Sequence, residues 1–168
     1  MMLHVQHVDG RFVYGATDLN NFLECRRLTE LDGLAVRGLL TRPEADDEQL
    51  ELIKRKGEEH EQRYLVAMEA RYGGITKFER AEKSVDAYAT AEAETLAAMR
   101  AGVPCIYQAT FFDGAFVGHT DFLRRVEKPS SLGPWSYEVI DTKLSLSAKP
   151  YFLIQLCNYS EHLMRLQG

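Results

Sequence analysis

The 168-residue chain is poor in cysteine, with three, and has no uninterrupted apolar run of the roughly 18 residues that a membrane-spanning helix needs. Cys25, Cys105 and Cys157 are odd in number and widely spaced, with no Cys-x-x-Cys pair. That pattern fits reduced thiols better than a disulfide framework, and no complete thiolate metal site can be read from it. The opening MMLHVQHVDG has neither a basic start nor a long apolar core, so it does not read as a secretory signal, and cytoplasm is the expected compartment. Positive charge is short too: 20 Lys and Arg stand against 25 Asp and Glu, a formal charge of -5. A surface coated in positive potential is excluded, whereas a local basic cleft, or a divalent metal bridging acids to phosphates, is not.

What is present supports one domain, 1–168, with a real core. A short β-like run lies around Arg11 to Tyr14, and Thr17 or Asp18 is the expected N-cap of a helix carrying Leu19, Phe22 and Leu23, followed by Arg26, Arg27 and Leu28. Past Pro43 and the acidic EADDEQ, a long helix is expected from about Glu48 to Tyr72, with Leu50, Ile53, Gly57, His60, Tyr64 and Ala67 on one face and Gly73-Gly74 as its stop. ITKFER reads as a short strand, and AYATAEAETLAAMRAG as a helix ended by Gly102. The segments PCIYQATFF, AFVGHTDFLRRVE and SYEVIDTKLS are rich in β-branched and aromatic residues and read as successive strands. A hairpin through Asp113-Gly114 joins the first two. From Pro150 to Gly168 a final helix carries Phe152, Leu153, Leu156, Tyr159, Leu163 and Leu166 as its apolar stripe. The order predicts an α/β domain with helices on a mixed sheet. A chain that stops with this helix is expected to be the N-terminal part of a longer protein.

The polar exceptions carry the chemistry. On a strand, Asp141 and Lys143 project to one face while Ile140 and Thr142 face the other. Such a pair is usually a surface ion pair, and its spacing alone carries little. If the strand of Asp121 pairs with that of Asp141, however, two carboxylates come within reach of one Mg2+ or Mn2+. Such an ion would polarise a phosphate and lower the pKa of a bound water, with Lys143 placed to help deprotonate that water or neutralise the phosphate. Gln155 and Tyr159, one turn apart on the last helix, can contact phosphate, base or lysine. His60 can supply an imidazole ligand, although a lone helical histidine is more often merely solvated. His119 shares a strand face with Asp121 and reads as a neighbour only. Arg26, Arg27, Arg124, Arg125, Lys128 and Lys149 are candidates for lining a DNA path, since phosphate binding needs only a local patch.

Taken together, His60, the GHTDFL strand with Asp121, the Asp141-Thr142-Lys143 strand end and the Gln155-to-Tyr159 QxxxY spacing resemble the RecB-like branch of the PD-(D/E)XK nuclease superfamily, in order and over nearly the whole chain. The stretch DLNNFLECRRLTELD is also similar to the opening helix of RecB-like and CRISPR-associated adaptation nucleases. The resemblance implies a restriction-endonuclease-like fold, a central mixed sheet flanked by helices, and metal-dependent cleavage of DNA in repair, recombination or processing. It implies metal binding by His60, Asp121, Asp141 and the Thr142 carbonyl, a catalytic Lys143, and Gln155 and Tyr159 orienting DNA or the site. A fused or partner helicase is an implied associate, and a membrane is not. Some relatives hold an iron-sulfur cluster; Cys25 matches its first ligand, but the other three cysteines do not follow Tyr159 here, so the cluster is not completed within this chain. Cys105 and Cys157 read as buried small hydrophobes. The alternative to a nuclease is a nuclease-fold nucleic-acid-binding module with little turnover, and an unrelated α/β domain would leave these residues apart.

Overall fold

The computed structural model describes residues 5–42 and 48–168. Pro43 and the acidic residues up to Asp47, expected to precede the long helix, lie outside them. Among the described residues the fold is mixed α/β: five helices, a four-stranded mixed sheet and a separate two-stranded hairpin.

The hairpin comes first, β1 (Gln6–Val8) against β2 (Arg11–Val13). Asp9 and Gly10 turn it with φ of 50° and 76°, the doubly positive conformation whose twist matches the flanking strands. Sequence reasoning anticipated only its second strand. The single helix expected next is two, α1 (Ala16–Glu24) and α2 (Arg26–Val36), broken where Cys25 is extended at φ -159°. Gly15, rather than Thr17 or Asp18, is the N-cap. Asp18 instead reaches back from inside the first turn, its buried carboxylate accepting the Gly15 N–H at 2.7 Å and the Val5 N–H at 2.8 Å. An acid at this position satisfies donors that the helix start leaves open.

The long helix α3 runs over Glu48–Tyr72 as expected and stops at Gly73 and Gly74, both at positive φ. Its packed line meets the anticipated one only at Tyr64: Leu50 and Ile53 are exposed, and Leu65 and Met68 are buried, with Tyr64 beside them, against Cys105 and Phe122. Burial of such side chains contributes roughly 1.5–3 kcal/mol each, which fixes the rotation of α3 about its axis. A two-residue strand β3 (Thr76–Lys77) leads to α4 (Val85–Arg100), capped by the Ser84 hydroxyl on the Ala87 N–H at 3.0 Å. Then come β4 (Cys105–Phe112), β5 (Val117–Val126), β6 (Ser136–Ile140) and α5 (Pro150–Gln167).

The sheet order is β3-β4-β5-β6, with β3 parallel to β4 through the α4 crossover and the other pairs antiparallel. The Asp113-Gly114 hairpin forms, the Asp113 carboxylate accepting the Ala115 and Phe116 N–H groups at 2.9 and 2.7 Å. One face of the sheet packs Ile106, Ala109, Phe111 and Leu123 against Met99 of α4 and Tyr159 and Leu163 of α5; the other packs Cys105 and Phe122 against α3. In a regular strand Ile106 and Ala109 would face opposite ways. They share a face because Gln108 between them has φ 56°, and the ladder runs from Tyr107↔Phe122 to Ala109↔Thr120, passing over Gln108 and Asp121. A left-handed glutamine costs of order 1 kcal/mol, and it stands in the pair position of Asp121.

Three further expectations are corrected. β6 ends at Ile140, so Asp141, Thr142 and Lys143 follow the strand rather than completing it. On α5, Leu153 is 56% exposed, because the helix turns that side away from the core formed by Tyr159 and Leu163. Cys157 is exposed on the same helix, and only Cys105 is a buried thiol. Among the described residues no helix is long and apolar enough to cross a membrane.

Burial pushes the Cys105 thiol up to about 11, away from the reactive thiolate, while Cys25 and Cys157 lie open. Titration of the native protein with a coloured aromatic disulfide is expected to label Cys25 and Cys157 promptly and Cys105 only after unfolding. Prompt labelling of Cys105 would contradict the packing of α3 on the sheet.

Candidate active site

The site forms where β6 leaves the sheet. Phe122 pairs with Ile140, so the next step places Asp121 and Asp141 side by side as β6 ends. Both are buried: Asp121 is 9% exposed, and the Asp141 side chain 2%. Thr142 fastens the junction by donating both its N–H (2.6 Å) and its hydroxyl (2.7 Å) to Oδ2 of Asp121. Both bonds fall on one oxygen, and Oδ1 takes none among the described residues. Asp141 in turn is held from two sides. Its Oδ2 pairs with the Lys143 ammonium, and its Oδ1 accepts from the Gln155 amide at 3.3 Å.

That same Gln155 amide donates to the Tyr159 hydroxyl at 3.1 Å. The i, i+4 spacing of α5 thus serves to bridge helix and strand end. Tyr159 can lie this close because residue 118 of β5 is glycine: a Cβ there would stand 2.6 Å from the tyrosine ring, closer than two carbons can approach. Burial pushes the Tyr159 hydroxyl up to about 12, so it stays protonated and acts as a neutral hydrogen-bonding group.

The electrostatics show a surplus of negative charge. Burial, then the charge of Asp121, pushes the Asp141 carboxyl from its ordinary 3.8 up to about 6, against the pull of Lys143; Glu61 adds to the rise. Two neighbouring carboxylates are thus held largely out of water, and the Lys143 ammonium pairs with Asp141 alone. A groove of about 350 Å³ opens beside them, walled by Asp141, Lys143, Leu146, Phe152 and Leu156.

The expected residues do not all gather. Asp121, Asp141, Thr142, Lys143, Gln155 and Tyr159 come together. His60 does not join them: no hydrogen bond or ion pair ties it to either aspartate, and among the described residues no three His, Cys, Asp or Glu side chains form a metal-ligand cluster. The reason lies in helix rotation. With Leu65 and Met68 seated on the sheet, the residue one turn before Leu65 is Glu61, and His60 stands about 100° around the helix from it. Glu61 accepts from the Tyr107 hydroxyl at 2.8 Å and from the Gln108 amide at 2.6 Å. Gln108 also accepts from Nε of Arg80 at 3.1 Å. Sequence reasoning passed over Glu61, Gln108 and Arg80. Gln108 was the one with a signal, a lone amide inside the apolar run PCIYQATFF.

His119 turns to Thr110, with Nδ1 3.0 Å from its Oγ1, and burial followed by the charge of Arg80 holds it down to about 4, so it is neutral at pH 7. Of the basic residues proposed for a DNA path, Arg124 is paired with Glu138 at 2.7 Å, and Arg125 lies over the Trp135 ring and donates to the Gly102 carbonyl. Arg27 is paired with Glu30, and Arg26 and Lys149 sit over the rings of Phe22 and Tyr151. Arg124 and Arg125 thus support the sheet edge. The three cysteines stand on separate elements: Cys25 between α1 and α2, Cys105 on β4, Cys157 on α5.

No family model matches this sequence, and comparison with curated proteins and with solved structures likewise yields no match.

The folded pKa of Asp141 lies above its unfolded value, so between roughly pH 4 and 6 the folded chain keeps a proton that the unfolded chain has released. Stability falls as pH rises through that window, and the cost is fully present above it. Asp141→Asn is accordingly expected to stabilise the metal-free protein by about 1–2 kcal/mol at pH 8 and to change little at pH 4. Urea unfolding at the two pH values checks this; destabilisation at pH 8 would contradict the charge surplus.

Proposed function

We propose that the chain is a divalent-metal-dependent DNA nuclease of the RecB-like branch of the PD-(D/E)XK superfamily, with a restriction-endonuclease-like core. The observation that carries this reading is the juxtaposition of two buried carboxylates, Asp121 and Asp141, with Lys143 paired to the second. The same residues carry the resemblance in sequence.

The residues fit a hard cation. Mg2+ uses one or two carboxylates and completes its shell with waters and substrate phosphate. Asp121 would offer its uncommitted Oδ1, Asp141 its carboxylate and Thr142 its carbonyl. His60, the remaining ligand that the resemblance implies, has no such support from the geometry. When bound, the ion would polarise the scissile phosphate and acidify an attacking water. The chain's own groups do the rest. Lys143, with a side chain 31% exposed, can turn from Asp141 toward the groove and neutralise phosphate charge or relay a proton from the attacking water. Gln155 keeps Asp141 in place through Oδ1 while Tyr159 anchors Gln155, so the QxxxY pair positions the acid. A role in DNA repair, recombination or processing, and a fused or partner helicase, belong to the same reading.

Incubation of the purified chain with single- and double-stranded DNA is expected to give cleavage with Mg2+ or Mn2+ and none with EDTA. Asp141→Asn and Lys143→Ala should each lower the rate by at least about 100-fold while the fold, read by circular dichroism, stays intact. Undiminished cleavage by those variants would overturn the assignment, and metal binding without cleavage would favour a binding module.

A further inference from the structure

Arg80 lies between β3 and α4, in a segment without regular structure, and its residue is exposed. Its Nε donates to Oε1 of Gln108, while the amide end of Gln108 donates to Glu61 at 2.6 Å. Gln108 is buried, 6% exposed, and its backbone is left-handed. A side chain fixed at both ends on a strained backbone is a rigid mount, and strain of this kind persists only where surrounding contacts hold it.

What is mounted is the guanidinium. One edge, through Nε, is committed to Gln108, and among the described residues no acid pairs with the terminal amines. The location borders the candidate site: Gln108, which Arg80 contacts, stands opposite Asp121 across the β4–β5 ladder. The charge of Arg80 is felt by Tyr159 and by His119, and the same Tyr159 hydroxyl feels Asp121 and Asp141. An exposed arginine whose planar fork is oriented by a buried amide, beside a place for a cation, matches the geometry of a phosphate oxyanion.

We infer that Arg80 is a substrate-binding residue of this site: its guanidinium, aimed by Gln108, grips a backbone phosphate of the nucleic-acid strand next to the one at Asp121 and Asp141. The inference rests on the nuclease reading for the identity of the ligand. Gln108 is then a positioning residue, and the ordered line Arg80, Gln108, Glu61 ties a phosphate contact on one side of the sheet edge to α3 on the other.

The test is binding, which separates the two readings because it does not require turnover. A fluorescein-labelled oligonucleotide, as single strand and as duplex, is titrated with the full chain in Ca2+ over a series of KCl concentrations and followed by anisotropy. Arg80→Ala is expected to weaken binding about tenfold and to reduce the slope of log K against log salt by about one, the signature of one lost phosphate contact. Arg80→Lys keeps the charge and should keep the slope while losing part of the affinity. Arg80→Gln, able to retain a hydrogen bond to Gln108, should behave like Arg80→Ala and serves if the alanine variant unfolds. Wild-type affinity and slope in Arg80→Ala or Arg80→Gln would overturn the inference while leaving any metal-dependent cleavage untouched. If the wild type cleaves no DNA yet shows the Arg80 effect on binding, the nuclease reading fails and the phosphate contact stands. A wild type that binds neither oligonucleotide takes down both.

Discussion

Two carboxylates that repel each other out of water, Asp121 and Asp141, set the terms for everything around them. Burial raises the cost of ionising Asp141, the neighbouring acid raises it further, and Lys143 recovers only part of it. The local structure is an answer to that cost. Thr142 places two donors on Asp121, Lys143 and Gln155 place one each on Asp141, and Tyr159 fixes Gln155 from the helix side. Each device orients a carboxylate, and none removes the excess charge. On the proposed nuclease reading, that residual charge is what an external cation would neutralise, at an expense in stability of the kind that binding sites commonly carry.

The backbone irregularities serve the same centre. Gln108 takes a left-handed conformation opposite Asp121, which turns its amide toward Glu61 and Arg80 and keeps Ala109 and Phe111 on the core face shared by Ile106. Gly118 removes the Cβ that would push Tyr159 away from β5. Ending β6 at Ile140 frees Thr142 from the ladder, so its N–H can bind a carboxylate instead of a neighbouring strand. Continuing the strand by two residues would forfeit that bond.

Much of this was legible in the sequence. The strand segments and the Asp113-Gly114 hairpin are visible because alternation, β-branching and the DG turn agree locally, and α3 is visible in full because its length and its glycine stop agree. The aspartates, Lys143, Gln155 and Tyr159 stood out as polar exceptions in apolar surroundings. The first hairpin carried the same DG signal and was half missed because its opening strand is only three residues long. What could not be read was rotation. Whether His60 or Glu61 faces the sheet differs by one residue on α3, and that choice is made by Leu65 and Met68 meeting Cys105 and Phe122, a tertiary fact. The break at Cys25 and the exposure of Cys157 depend likewise on how helices dock, not on local preference.

Whether Asp121 and Asp141 together bind a cation is decided by calorimetric titration of Mn2+ into the metal-free chain at pH 8, with Asp121→Asn alongside. Saturable heat in the wild type, lost in the variant, is the expected result; equal heats in the two proteins, or none in the wild type, would contradict it.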